Sequence, residues 1–126
     1  ETETAFLKNL THALENIWLA RNRYTIHKEV AISQVFKENV TYDNLFYMGR
    51  FDFVVYKKRG KQEMPVFAIE LDGKEHFEDE VVRERDRQKN EICKAHHMQI
   101  IRVENSYARR YHYIKEILNE YFAKAR

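Results

Sequence analysis

Hydrophobic residues recur every three or four positions at both ends of the chain. Near the N-terminus this spacing predicts a helix over residues 3–20, with Trp18 on its buried stripe. Glu3 falls on the same stripe, so we expect its carboxylate to do more than contact solvent. Near the C-terminus the same period predicts a last amphipathic helix from Tyr111 to Ala125.

The middle of the chain is rich in β-branched and aromatic residues, which favours strands. Residues 23–36 fit a short strand followed by a turn of helix. Strands are predicted over residues 45–58, 65–72 and 98–104. The polar segment KRGKQEM, between the first two of these strands, predicts a turn.

Three acidic residues share one face if the first two of these strands form an antiparallel hairpin. A turn that is symmetric about Lys61 places Asp52 directly opposite Glu70. Asp72 follows on the same face, roughly 6.6 Å along its strand. Ionised carboxylates this close repel one another and lose hydration, so the arrangement requires a counter-charge.

Residues 77–97 predict a long helix whose inner face carries positive charge. The i, i+4 series Val81, Arg85, Lys89 and Cys93 places Lys89 on the stripe that packs inward. One interpretation brings Lys89 to the acidic patch, and the alternative lets Lys89 and Arg85 extend along the helix surface to solvent. Cys93, the only cysteine, fits a buried packing position.

The order of elements predicts an α/β fold. The connection from strand 65–72 through the long helix to strand 98–104 has the length of a parallel crossover, whereas the preceding hairpin is antiparallel. We therefore expect a mixed β-sheet flanked by helices. Residues 1–126 fit a single domain, and because the chain starts at Glu1 rather than methionine we expect it to be excised from a longer protein.

Composition excludes several classes of protein. A hydrophobic share of 44% and a charged share of 33% fit a soluble globular domain. No apolar stretch approaches the ~20 residues that cross a bilayer, and the N-terminus lacks the layout of a signal peptide. We therefore expect an intracellular, cytoplasmic protein with no membrane partner.

The acidic residues predict a metal site. Asp52, Glu70 and Asp72 offer hard oxygen ligands, which select Mg²⁺ or Mn²⁺ over zinc. Two alternatives remain open at this stage. Asp52 caps a strand end or pairs with Arg50 or Arg102 in the first, and Glu70 and Asp72 form a surface ion network with Lys74 and Arg83 in the second.

Three segments, GRFDFVVY, PVFAIELDGKEH and RERDRQKNEICKAHHMQIIRV, resemble the PD-(D/E)XK nuclease superfamily. The resemblance is to its branch similar to very-short-patch-repair endonucleases and to small nuclease-like domains fused to helicases, and it covers roughly residues 3–104. It implies a restriction-endonuclease-like mixed β-sheet flanked by helices. At Ala95-His96-His97 similar sequences often carry glycine, so we expect the helix to end there with a strained or rearranged backbone.

The resemblance also implies roles for individual residues. Asp52 and Glu70 match the metal-binding pair, whereas Asp72 stands where the superfamily usually has its catalytic lysine. Lys89 matches the position to which that lysine migrates in related branches, and Lys74 is the nearer alternative. Three further positions match residues with supporting roles: Glu3, through metal-bound water, and the auxiliary His76 and Asp86.

Together these features predict a Mg²⁺- or Mn²⁺-dependent DNA endonuclease that hydrolyses phosphodiester bonds with a metal-activated water. The resemblance implies 5′-phosphate and 3′-hydroxyl products, a role in DNA repair and a fused or associated helicase. We expect basic side chains to position the DNA phosphates, namely Lys57, Lys58, Lys74 and Arg85. The alternative is a catalytically inactive nuclease-fold module that binds nucleic acid or a partner protein.

Overall fold

The computed structural model describes residues 1–18, 20–38 and 41–124, and the side chains of Glu75 and His76 lie outside the described part. It shows four strands and six helices within these residues, with a short 3₁₀ turn after the last strand. In chain order they are α1 (Thr2–Glu15), β1 (Tyr24–Ala31), α2 (Ile32–Val35), α3 (Asp43–Met48), β2 (Arg50–Arg59), β3 (Gln62–Asp72), α4 (Glu75–Glu78), α5 (Glu80–Ala95), β4 (Gln99–Glu104) and α6 (Tyr111–Lys124).

The strands form one mixed sheet in the order β1-β2-β3-β4. The first two pairings are antiparallel, and β3 pairs with β4 in parallel through the crossover helix α5. The predicted α/β class and the parallel crossover are therefore confirmed. No helix in the described ranges is long and apolar enough to span a bilayer.

The hairpin between β2 and β3 has the predicted register near the acids, but its turn differs from the predicted one. Its turn has only two residues between Arg59 and Gln62, so most of KRGKQEM is strand and not turn. A bulge between Val55 and Tyr56 then shifts the register by one residue. The pairs beyond the bulge, such as Phe53 with Ile69, are those that a turn symmetric about Lys61 predicts.

Each face of the sheet packs against its own helices. On one face, α1 and α6 cover sheet residues such as Phe53, Phe67 and Ile69. On the other face, α2, α3 and α5 cover Val54 and Ala68. The hydrophobic core is therefore divided between two layers, and the side chains of Asp52 and Glu70 belong to the side that α5 covers.

Two predicted elements have the wrong bounds. The first helix ends at Glu15, so Trp18 lies in the following loop with 84% of its surface exposed, and not on a buried stripe. Residues 45–48 belong to helix α3 and not to a strand, which begins only at Arg50. Leu45 and Phe46 are buried in either conformation, so periodicity over this short apolar run does not distinguish helix from strand. Ala125, at the predicted end of the last helix, lies outside the described residues.

The long helix begins later and is rotated relative to the prediction. Asp79 caps α5, since its Oδ1 accepts the N–H groups of Val81 (2.8 Å) and Val82 (3.3 Å). Asp86 is buried, whereas Val81 and Arg85 are exposed, so these two predicted inner positions are wrong. Lys89 and Cys93 are buried as predicted, and burial raises the pKa of the Cys93 thiol to about 12.

The C-terminal end of α5 shows the predicted strained conformation. His97 has a φ of 58°, a left-handed value that glycine adopts more readily. The N–H of His97 donates to Lys94 O (3.1 Å) and that of Met98 to Cys93 O (2.9 Å), which satisfies two terminal carbonyls. The ring of His96 stacks on Phe36 with centroids 4.1 Å apart. Local hydrogen bonds and stacking therefore offset the strain.

Gly49 joins α3 to β2 in a space that excludes any side chain. A Cβ there would lie 2.6 Å from Leu45 O and 3.1 Å from Ile32 Cδ1. We expect Gly49→Ala to lower the free energy of unfolding by about 1–3 kcal/mol, because the α3 turn must shift. Urea denaturation measures this effect, with the exposed Asn44→Ala on the same helix as control. Equal stability of the two variants would contradict the close packing at Gly49.

Candidate functional site

Asp52 and Glu70 hold the ends of β2 and β3 together through their side chains. The N–H of Asp52 donates to Glu70 Oε2 (2.6 Å), and the N–H of Leu71 donates to Asp52 Oδ2 (2.8 Å). Each carboxylate thus accepts a backbone donor of the neighbouring strand. The two acids converge at one end of the sheet, as the sequence register predicts.

A buried ion pair links this acid pair to α5. Lys89 Nζ lies 2.5 Å from Glu70 Oε1, and the two residues are only 6% and 3% exposed. Burial raises the pKa of the Glu70 carboxyl; the charge of Lys89 opposes this rise, and the charge of Asp52 adds to it. Of the two interpretations of Lys89, the one that brings it to the acids is therefore confirmed. Its ammonium group supplies the counter-charge.

Asp72 lies on the same side but is held by an arginine. Arg102 Nη1 is 2.9 Å from Asp72 Oδ1 and 3.6 Å from Asp86 Oδ1. Arg102 also donates to Asp86 O (3.0 Å) and to Asn90 Oδ1 (3.0 Å). The guanidinium group therefore ties β3 and β4 to the helix that carries Lys89. Asp72 as a metal ligand stays a prediction, and the structure gives it a structural partner.

The ion pairs expected in the two alternative interpretations do not form within the described residues. Arg50 donates to Glu29 O (2.9 Å), and Arg102 binds Asp72, so neither arginine pairs with Asp52. Arg83 donates to Phe77 O (2.5 Å) instead of approaching Glu70. Among the residues that the structure describes, Asp52 is thus left with a single hydrogen-bond donor, the N–H of Leu71.

Glu3 approaches the site from the opposite layer. Burial raises the pKa of the Glu3 carboxyl, and the negative charges of Asp52 and Glu29 raise it further. The acid predicted on the first helix therefore lies within electrostatic range of Asp52, although α1 packs on the other face of the sheet.

Glu29 is an acidic residue near the site that sequence reasoning missed. It lies in β1 between the pairs Lys28–Phe53 and Val30–Phe51, across from Asp52, and has a φ of 50°. Such a conformation is uncommon for a residue other than glycine. Only the pairing of β1 with β2 reveals this position, and the sequence carried no signal for that register.

An open cleft leads from solvent to the acids. It encloses about 1120 Å³ between α3 and α5, and both Asp52 and Lys89 line it. An adjoining pocket of about 200 Å³ contains Glu70, Asp72 and Asp86. Arg85 lines both spaces, so its exposed guanidinium group is placed to meet an anion that enters. The acid pair is therefore reachable by a ligand although Glu70 is buried.

The other predicted basic residues lie farther away. Lys74 is exposed in the turn between β3 and α4. Lys57 and Lys58 lie at the far end of β2, about 17–20 Å along the strand from Asp52. His76 lies on α4, and its side chain is outside the described part of the structure. The structure thus brings Arg85 to the cleft and leaves the lysines 57 and 58 at the opposite end of the sheet.

The donor set at the acids is small. Across the described ranges, no group of three or more His, Cys, Asp or Glu side chains is placed to hold a metal ion. Asp52 and Glu70 form a two-carboxylate set, and Mg²⁺ commonly uses one or two protein carboxylates together with water. The site combines hard oxygens, a buried ammonium group and an open approach.

The Glu70–Lys89 pair leads to a prediction about stability. We expect Lys89→Met to lower the free energy of unfolding by about 3 kcal/mol near neutral pH, because it leaves Glu70 buried without a counter-charge. The double variant Lys89→Met/Glu70→Gln should lose less than the sum of the two single variants. Urea denaturation of all three, with the exposed Lys94→Met as control, measures the coupling between the two residues.

The stability loss of Lys89→Met should also depend on pH. Because the pKa of Glu70 is raised on folding, the folded state binds a proton more tightly than the unfolded state. Stability therefore falls as pH rises from the ordinary carboxyl value of 4.5 through the raised value. Without Lys89 the pKa of Glu70 rises further, so Glu70 is protonated at a higher pH. The stability loss caused by Lys89→Met should therefore be smaller at a pH of about 5 than near neutral pH. A loss that is independent of pH would contradict an uncompensated Glu70 charge.

Comparison with known proteins places the chain in a family but does not assign an activity. No curated protein and no solved structure matches it. A family model described as "Protein of unknown function (DUF2726)" matches residues 1–121. The match spans almost the whole chain, so the chain belongs to the family described as Protein of unknown function (DUF2726).

Proposed function

We propose that the chain is a metal-dependent nuclease domain that hydrolyses phosphodiester bonds in DNA. The observation that carries the proposal is the acid pair Asp52 and Glu70 at the edge of an open cleft, with the ammonium group of Lys89 2.5 Å from Glu70. Buried charges of this kind are costly, and residues with perturbed pKa values cluster at functional sites.

The acid pair fits Mg²⁺ or Mn²⁺. Within the described part of the chain, Asp52 Oδ1 accepts no hydrogen bond, because the one donor to this carboxylate binds Oδ2. Glu70 uses one oxygen for Lys89 and the other for the N–H of Asp52, and each oxygen keeps a second lone pair. Asp52 and Glu70 would hold the ion, and Glu3, whose carboxyl lies within electrostatic range of Asp52, would contribute through metal-bound water. A bound divalent cation would polarise a phosphoryl oxygen and activate water.

The protein's own cations would position and stabilise the phosphate. Lys89 donates one N–H to Glu70, and its other two meet no acceptor among the described residues, so they are available to an anionic oxygen. Arg85 stands at the mouth of both spaces, where its planar group suits phosphate. Lys89 would thus stabilise developing negative charge from a position that is itself almost fully buried, where electrostatic effects are strong.

The fold supports the proposal at a coarser level. The mixed sheet, with a hairpin that carries the acids and a crossover helix that carries the lysine, is compatible with a restriction-endonuclease-like architecture. We propose this fold assignment on the resemblance together with the observed strand order. A DNA-repair role and a fused or associated helicase remain proposals of the resemblance alone.

A second candidate function is a catalytically inactive nuclease-fold module that binds nucleic acid or a partner protein. Two observations favour it. Lys89 already neutralises Glu70 without any cation. The cleft is also lined by Met48 and Val81, which are 78% and 76% exposed and suit a protein partner better than a phosphate chain.

Cleavage assays with metal distinguish the two functions. We expect the protein to cleave plasmid or linear DNA with Mg²⁺ or Mn²⁺ but not with EDTA, and Asp52→Asn to abolish cleavage. Lys89→Met should slow cleavage by about 100-fold, because it removes an electrostatic contact to the reacting phosphate. The matched control is Glu80→Gln, which removes a carboxylate from the cleft wall but not from the acid pair. Absence of cleavage in every metal would favour the inactive module, whereas equal loss in the control would contradict the assignment of catalysis to the acid pair.

Metal binding is testable without turnover. We expect Mn²⁺ at about 100 times its Kd to stabilise the fold by about 2.7 kcal/mol, and Asp52→Asn to lose this stabilisation. Ligation requires an ionised Glu70, whose raised pKa lets protons compete at a higher pH than for an ordinary carboxylate. The Mn²⁺-induced shift in Tm should therefore decline as pH falls. A shift that persists in Asp52→Asn, or that does not depend on pH, would contradict this site.

A further inference from the structure

The end of the sheet opposite the acids carries a concentration of cations from two distant segments. Backbone pairing of Tyr24 with Lys57, and the hydrogen bond from Lys58 N–H to Arg23 O (2.8 Å), bring the loop before β1 against the hairpin turn. This basic end, as we define it, comprises Arg21, Arg23, Lys57, Lys58, Arg59 and Lys61.

Within the described residues the cations of the basic end form no ion pair, although Lys58 lies directly across the hairpin from Glu63 and its charge acts on that carboxylate. None of the six side chains takes part in an ion pair or side-chain hydrogen bond, whereas Arg83, Arg87, Lys89 and Arg102 all pair with carboxylates. The nearby Glu63 instead binds Thr25 and His27, each at 2.8 Å.

The distribution of charge over the whole chain makes this end unusual. The protein has 22 Lys and Arg against 20 Asp and Glu, so the molecule without the basic end is acidic. Like charges concentrated at one end create a positive potential, which attracts an anionic ligand.

An exposed aromatic ring adjoins these cations. Trp18 is 84% exposed, and the turn that contains it leads directly to Arg21, whose N–H donates to Ile17 O (2.9 Å). A tryptophan with this much apolar surface in water is costly for a free monomer. The ring is exposed three residues before Arg21 in the chain, and an exposed indole of this kind suits stacking on a flat, polar-edged partner.

We propose that the basic end is a second nucleic-acid surface, which binds single-stranded DNA or RNA by phosphate contacts to its cations and by stacking of a base on Trp18. Single strands expose the faces of their bases, and stacking on an aromatic side chain beside a positively charged groove is the usual physics of their recognition. The surface gives Lys57 and Lys58 a binding role away from the cleft.

The basic end is independent of the proposed catalytic site. Arg59 lies about 23 Å along β2 from Asp52, so the two surfaces contact different parts of any bound strand. An anionic membrane is the competing partner for such a surface. It fits less well, because membrane-binding segments present several apolar side chains along a helix, and Trp18 is a single ring in a loop.

Trp18 is the only tryptophan, so its fluorescence reports on the basic end directly. In EDTA, which prevents metal-dependent cleavage, we expect a ~20-nucleotide oligothymidylate to quench this fluorescence and to bind more tightly than duplex DNA of equal length. Inorganic polyphosphate should bind without comparable quenching, since it has no bases. Trp18→Ala should weaken oligonucleotide binding, measured by anisotropy of a fluorescein label, by about tenfold.

Charge variants separate specific contacts from net charge. We expect Lys58→Glu/Arg59→Glu to weaken binding and to reduce the slope of log affinity against log salt by about 0.7 for each lost phosphate contact. Lys8→Glu/Lys94→Glu changes net charge equally on other faces and should retain binding. Melting curves of all variants verify folding.

Several results would overturn the proposal. These are equal loss of affinity in both charge variants, absence of Trp18 quenching by the oligonucleotide, and binding to vesicles of phosphatidylcholine with phosphatidylserine in place of the oligonucleotide. Cleavage assays on the same charge variants are a separate measurement. Failure of the basic end therefore leaves the proposed nuclease site untouched, and failure of that site leaves binding in EDTA unchanged.

Discussion

The ion pair between Glu70 and Lys89 is the constraint on which the rest of the site depends. Each side chain is almost fully removed from water, and neither charge is tolerable there without the other. The pair fixes the distance between β3 and α5 at one level of the fold. Arg102 adds a second link between the same two elements by binding Asp72 of β3 and the backbone of Asp86 in α5.

The pair does not satisfy every charge around it. Asp52 contributes a second carboxylate that Lys89 does not contact, and Glu3 and Glu29 add negative charge from α1 and β1. Lys89 thus neutralises Glu70 but not the neighbouring carboxylates, and Arg85 at the cleft is exposed to solvent. A protein under selection for stability alone would replace such a group with apolar residues, so these carboxylates are the physical argument for a cationic ligand.

The sequence was informative about the site because the acid pair and the lysine come from three adjacent elements. The period-two pattern of β2 and β3 was sufficient to place Asp52 against Glu70, although it reached the correct register without revealing the two-residue turn or the compensating bulge. Lys89 was found on the inner face, but the helix is rotated so that Asp86 is buried and Arg85 exposed. The cap at Asp79 marks where the helix begins, and apolar periodicity in a helix so rich in charge is too weak to define which face is buried.

Structural features that depend on long-range packing could not be predicted from the sequence. The apolar pattern of residues 45–48 fits either a strand or a helix. The contacts of these residues with α2 and the sheet favour the helix. The early end of α1 exposes Trp18, which periodicity alone places in the core. Glu29 is recognised only through the partner strand, since its own neighbours in sequence give no sign of its unusual backbone.

The bulge at Val55 and Tyr56 lies between the hairpin turn and the acid pair, and this position affects which changes of length the hairpin tolerates. A one-residue insertion or deletion near the turn would ordinarily reverse which face every later side chain occupies. A bulge between the turn and the acids also shifts the register by one residue. Its gain or loss can therefore compensate for such a change, so that the residues beyond it stay on the same face. The length of the hairpin tip can therefore change while Asp52 and Glu70 keep their orientation.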